Sequence, residues 1–99
     1  MIIVKTRYTV TVVNERVVPI KSFIVTGPNF RDELAPVPAK GKVTRHFHFS
    51  GDGSLDFEIQ VDQVKTNGLI EGYVTPNLGG MNAVWLKADG RIEVGKVTR

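Results

Sequence analysis

Ninety-nine residues suffice for one two-layer core and are too few for two, so residues 1–99 are expected to form a single domain. An apolar content of 41% with 23% charged residues indicates neither disorder nor a membrane class, and the lack of cysteine excludes disulfide frameworks, thiol catalysis and Cys-ligated zinc. The thirteen Lys and Arg exceed the ten Asp and Glu by three and form no run, which argues against the dense basic stripe of a dedicated nucleic-acid binder.

Thirty residues are Val, Ile or Thr against nine Ala plus Leu, a mixture whose stiff side chains suit pleated sheet better than helix. Strands are predicted near 2–13, 18–26, 42–50, 54–62, 69–75, 83–88 and 91–97. In the first, Val4, Thr6, Tyr8, Val10 and Val12 alternate with Lys5, Arg7, Thr9 and Thr11, the pattern of a half-buried strand. Its N-terminus, MIIVKTRYTV, lacks the apolar run and cleavage site of a signal peptide, so cytoplasm is the default compartment; an exported chain trimmed of its signal would begin the same way.

The second strand should begin after Pro19, which cannot donate to a ladder, or lie at a sheet edge there. Residues 28–42 hold three prolines and the isolated apolar anchors Leu34 and Val37, and read as a crossing between sheets with one short extended segment. Next comes RHFHFSGDGSLDFE, residues 45–58. Phe47 and Phe49 share parity with Leu55, Phe57 and Ile59, so all five should face the core. With Gly53 in the left-handed position of a tight hairpin, Ser50 would pair with Ser54. That register sets His46 opposite Glu58 and His48 opposite Asp56 on the outer face.

Asn67-Gly68 carries the signature of a two-residue hairpin turn, and Ala88-Asp89-Gly90 predicts a second hairpin that pairs Lys87 with Arg91 and lays Val84 and Leu86 over Val94 and Ile92. Trp85 should then point outward, beside a Gly-rich loop at 76–82. The whole is expected to be all-β: a two-layer antiparallel sandwich of seven or eight strands.

Three chemistries compete. His46, His48, Asp56 and Glu58 are of the residue types that hold zinc, copper, nickel or iron, which makes a divalent-metal-binding protein one reading. Interleaved aromatic and basic residues in RHFHF suggest a small OB-like nucleic-acid-binding domain, but stacking would need Phe47 and Phe49 outside, so nucleic acid is not the expected partner. Nucleophilic catalysis finds no serine beside a base in a strained elbow, and no cofactor motif is present, so neither an enzyme nor a cofactor is expected.

The preferred reading is a non-catalytic interaction module with a protein partner, contacted through Trp85, Asn77 and Asn82. The long first strand, if it lies at an edge, offers a route to a homodimer, and no membrane partner is expected. The stretches VVPIKSFIVTGP, LAPVPAKGKV, GDGSL and EGYVTPNLGG resemble small bacterial β-sandwich proteins of the immunoglobulin-like type that have no assigned activity. The likeness covers residues 8–80 and consists of turn and core features, so it implies a fold and transfers no site residue.

Overall fold

The computed structural model describes residues 8–76 and 79–97. Eight strands form two four-stranded sheets packed face to face, a two-layer β-sandwich. The strands are β1 (Tyr8–Asn14), β2 (Ser22–Gly27), β3 (Phe30–Glu33), β4 (Lys42–Phe47), β5 (Gly53–Val61), β6 (Val64–Val74), β7 (Gly80–Leu86) and β8 (Ile92–Lys96). Sheet I has the order β4-β1-β7-β8 and sheet II the order β3-β2-β5-β6.

Five of the six strand pairings are antiparallel, as expected, but β1 and β7 run parallel, with Val10 beside Asn82 and Val12 beside Val84. β1, the described part of the first expected strand, therefore lies inside sheet I, flanked by β4 and β7, and is not a sheet edge, whereas residues 2–7 lie outside the described residues. Each open edge is instead tied to the edge of the other sheet. Arg45 on β4 donates to Asp32 on β3 at 3.0 Å, and Lys96 on β8 lies 3.8 Å from Glu71 on β6.

The core forms where the inner faces meet. Tyr8, Val10 and Val12 of β1 oppose Phe23 and Val25 of β2, with Leu55, Phe57 and Ile59 of β5 completing the layer. Phe47 and Phe49 are each 6% exposed, as their parity requires, and Phe30 stacks on both, with ring centroids 5.1 and 6.1 Å away. Leu34 and Val37 are buried anchors of the segment that crosses between sheets, and β3 is its short extended piece.

Two expected turns behave differently. The 88–90 hairpin forms as predicted: Lys87 N donates to Arg91 O, Gly90 takes a φ of 93°, and Val84 and Leu86 pair with Val94 and Ile92. Asn67-Gly68 does not turn. It lies within β6, and the reversal falls at Asp62-Gln63, where Asp62 takes a φ of 56° and Val61 pairs with Val64. Asp tolerates that conformation because its short side chain can bond locally. Gly68 is needed instead opposite Phe57, whose ring packs over it.

Candidate functional site

The expected 43–50/54–62 hairpin does not exist. β4 pairs with β1 in sheet I, with Thr9 opposite His46, whereas β5 pairs with β2 and β6 in sheet II. His46 is on the outer face of sheet I, where its Nδ1 lies 2.8 Å from Thr9 Oγ1, and His48 is exposed just beyond β4. Asp56 and Glu58 are on the outer face of sheet II, on the opposite side of the sandwich, beside Thr26 and Ile24. Glycine-rich residues 51–53 allow a crossing between sheets as readily as a tight turn, and the sandwich uses the crossing. Among the described residues no three His, Asp or Glu are grouped to hold a metal ion.

The partner-contact residues are also rearranged. Asn82 is 3% exposed and faces the core, where its Nδ2 donates to the Ile70 carbonyl at 2.7 Å. It serves as a strut between β7 and β6, not as a surface contact. It also hydrogen-bonds the Tyr8 hydroxyl. Burial, reinforced by the charge of Glu71, pushes that group up to about 12, and the Asn82 bond opposes the rise. Asn77 lies outside the described residues. Trp85 faces outward as expected, between Val13 and Glu93, but is half-buried because its ring lies against Gly95.

A different surface emerges where β1, β3, β5 and β7 end and β2, β4, β6 and β8 begin. Asn14, 1% exposed, closes β1 and organises this end. Its Nδ2 donates to Val18 O at 2.8 Å and to Pro38 O at 3.2 Å, while its Oδ1 accepts the Arg16 N–H at 3.0 Å. Lys40 N donates to Arg16 O, Glu15 N to Leu86 O, and Ile20 and Val37 exchange both backbone bonds. The loop backbone is thus held inward by polar groups, which leaves its apolar side chains to point out. Val17 is 77% exposed and Val18 46%, and across the end, beside the β5–β6 turn, Val64 is 65% exposed.

Arg16 reaches the turn at Asp62, 3.7 Å away, and separates two depressions of about 430 and 350 Å³. The first is lined by Val18, Ile20 and Val61 among others, and the second by Val61, Val64 and Ile92 among others. The strand expected near 18–26 takes in Val18, but β2 begins only at Ser22. Pro19 was the available signal, because it ends any ladder there and leaves two valines without a sheet.

Charge is polarised toward the same end. Its loops and the adjoining strand residues carry Arg16, Lys21, Lys40, Lys42, Lys65, Lys87 and Arg91 against Glu15, Glu33, Asp62, Asp89 and Glu93. The other described residues carry three basic groups against five acidic ones. Four of the five carboxylates at this end are in ion pairs, Glu15 with Lys87, Asp62 with Arg16, and Asp89 and Glu93 with Arg91, whereas Glu33 makes none among the described residues. Lys21, Lys40, Lys42 and Lys65 make no ion pair among the described residues.

The pairing shifts titrations. The hydrogen bond from Lys87 to Glu15 raises the Lys87 ammonium above its ordinary value. The Arg91 backbone N–H and then its guanidinium lower the Asp89 carboxyl. Because the folded value lies below the unfolded one, this contribution is present above the ordinary aspartate range and is lost as pH falls through the depressed value. An NMR titration of Asp89 should therefore give a midpoint below that of an unfolded aspartate, and Arg91→Ala should raise it. An unchanged midpoint would show that the 89–91 contact does not persist in solution.

Neither a family model nor a curated protein matches the chain. Among solved structures, the NMR structure of a protein from Eubacterium rectale is similar, with a TM-score of 0.62 at 12% identity over 96% of this chain and 92% of that one. At that identity the likeness is one of fold. No helix among the described residues is long and apolar enough to cross a membrane.

Proposed function

We propose that the chain is a non-catalytic binding module that engages its partner through the loop end built on Asn14. The observation that carries this reading is the exposure of Val17, Val18 and Val64 on a backbone fixed by hydrogen bonds. Aliphatic side chains held in water on a fixed frame give up little conformational entropy on binding, so a partner gains most of their burial as affinity. The resemblance to immunoglobulin-like sandwiches supports the same reading, since such domains gather their binding loops at the ends of the two sheets.

The test is capture of a cellular partner by the immobilised chain, compared with a Val17→Asp/Val18→Asp variant. Both valines lie outside the core, so the variant should fold. Capture should fall at least about tenfold, the order expected when a central apolar contact worth more than about 1.4 kcal/mol is removed. Trp85→Ala should leave capture intact. Retention by the double aspartate variant, or loss only in Trp85→Ala, would move the binding surface to the outer face of sheet I.

A further inference from the structure

We infer that the loop end is a docking surface for an acidic lipid membrane, with Val17, Val18 and Val64 entering the interface and the surrounding lysines meeting the headgroups. The inference rests on the loop-end reading and names its partner. Two independent features converge on it. One is charge complementarity: seven of the ten described Lys and Arg are gathered at this end against five carboxylates, four of which lie in ion pairs with Arg16, Lys87 or Arg91, and Lys21, Lys40, Lys42 and Lys65 make no ion pair among the described residues. Their natural counterpart is a surface dense in negative charge.

The other is shape and chemistry. The most exposed large hydrophobic side chain among the described residues, Val17 at 77%, is on the loop, and Val64 at 65% stands on a separate element. Projecting aliphatic groups on two elements at the same end suit insertion into an apolar layer. A protein groove for both would have to be matched to their spacing. No Phe, Tyr or Trp occurs in the end loops 15–21, 34–41, 62–63 or 87–91 to stack on bases, which disfavours nucleic acid as the anionic partner. Interfacial anchoring combines buried apolar groups with basic residues drawn to anionic lipid, and neither part alone holds a protein at a membrane. The absence of a spanning segment in the sequence bears on integral membrane proteins and not on such surface contact.

The full chain can be tested with phosphatidylcholine vesicles with and without phosphatidylserine. The chain contains no cysteine, so Val17→Cys takes a single polarity-sensitive fluorophore. The label should shift to the blue with phosphatidylserine vesicles at low salt and not with phosphatidylcholine alone. Lys21→Gln and Lys40→Gln should each lower partitioning about fivefold, and added salt should release the protein. In co-sedimentation, Val17→Asp/Val18→Asp should abolish binding while its circular dichroism matches the wild type.

Absence of binding to phosphatidylserine vesicles at low salt overturns the inference. So does binding indifferent to the aspartate pair, or a single-stranded oligonucleotide that binds as tightly as the vesicles, since either reduces the site to general polyanion attraction. If the vesicles fail while capture of a cellular protein still depends on Val17 and Val18, the lipid assignment falls and the loop-end reading stands. If neither probe responds to these valines, both fall.

Discussion

Asn14→Ala is expected to destabilise the protein by about 3 kcal/mol and to lower its melting temperature by roughly 15 °C. The side chain is 1% exposed and both its polar atoms are committed: Oδ1 to the Arg16 N–H, Nδ2 to the carbonyls of Val18 and Pro38. Alanine removes these bonds, with a longer one to Val37 O at 3.5 Å, and takes the side-chain partner from the Arg16 N–H and the Val18 carbonyl in a region of partial burial, while Pro38 O keeps the Gly41 N–H. Each buried orphan costs about 1–3 kcal/mol, and the estimate of about 3 allows for water reaching Val18 and Arg16. Asn14→Asp should be no better, because it keeps the acceptor for Arg16 but turns an oxygen toward two carbonyls.

The functional consequence exceeds the thermodynamic one. Val17 is held outward only because the backbone around it is held inward, so Asn14→Ala should also raise amide exchange at Arg16 and Lys40 and weaken partner binding at temperatures where the fold persists. Thermal unfolding by circular dichroism with hydrogen exchange provides the check. A loss of less than about 1 kcal/mol, with exchange unaltered, would mean that water replaces the asparagine and that the loop needs no internal frame.

The second large effect is expected at Gly68. An alanine in a strand interior ordinarily gains from reduced freedom of the unfolded chain, by up to about 1 kcal/mol. Here a Cβ would overlap the Phe57 ring, which lies across from Gly68 and is stacked on Phe23 with centroids 5.6 Å apart and planes 1° from parallel. The ring cannot swing away without disturbing that stack, so Gly68→Ala should cost about 2 kcal/mol net, in the range of core overpacking. Denaturant unfolding of Gly68→Ala, Phe57→Leu and the double variant would isolate the cause. The double variant should be more stable than the two single losses added together. A Gly68→Ala protein as stable as the wild type would remove the ring contact as the reason for glycine at this position. Gly27, across from Phe30, has the same arrangement.

How far the candidate site was legible depended on the kind of information each residue carried. The Ala88-Asp89-Gly90 hairpin followed from the sequence because its strands are adjacent in both chain and sheet, so local turn chemistry fixed the pairing. Asn67-Gly68 misled for the complementary reason. A glycine that permits a turn also makes room for an aromatic ring, and only the position of Phe57 on the neighbouring strand decides between them. Asn82 looked like a surface amide in a Gly-rich loop, yet it falls at an inward position of β7, where the Ile70 carbonyl is the partner.

The sequence by itself determined which way side chains face. Alternation with period two is a property of the strand alone, so Tyr8, Val10, Val12, Phe47, Phe49, Leu55, Phe57 and Ile59 are buried whichever strands lie beside them. It likewise determined that the chain is all sheet, through the Val, Ile and Thr that fill it. Only the tertiary structure decided which strands are neighbours. Strand partnership is set by how the two sheets divide the chain between them, and residues 48–52 serve a crossing as well as a turn. His46 thereby lost Glu58 and gained Thr9, and the surface that gathers valines and unpaired lysines was assembled from loops far apart in sequence.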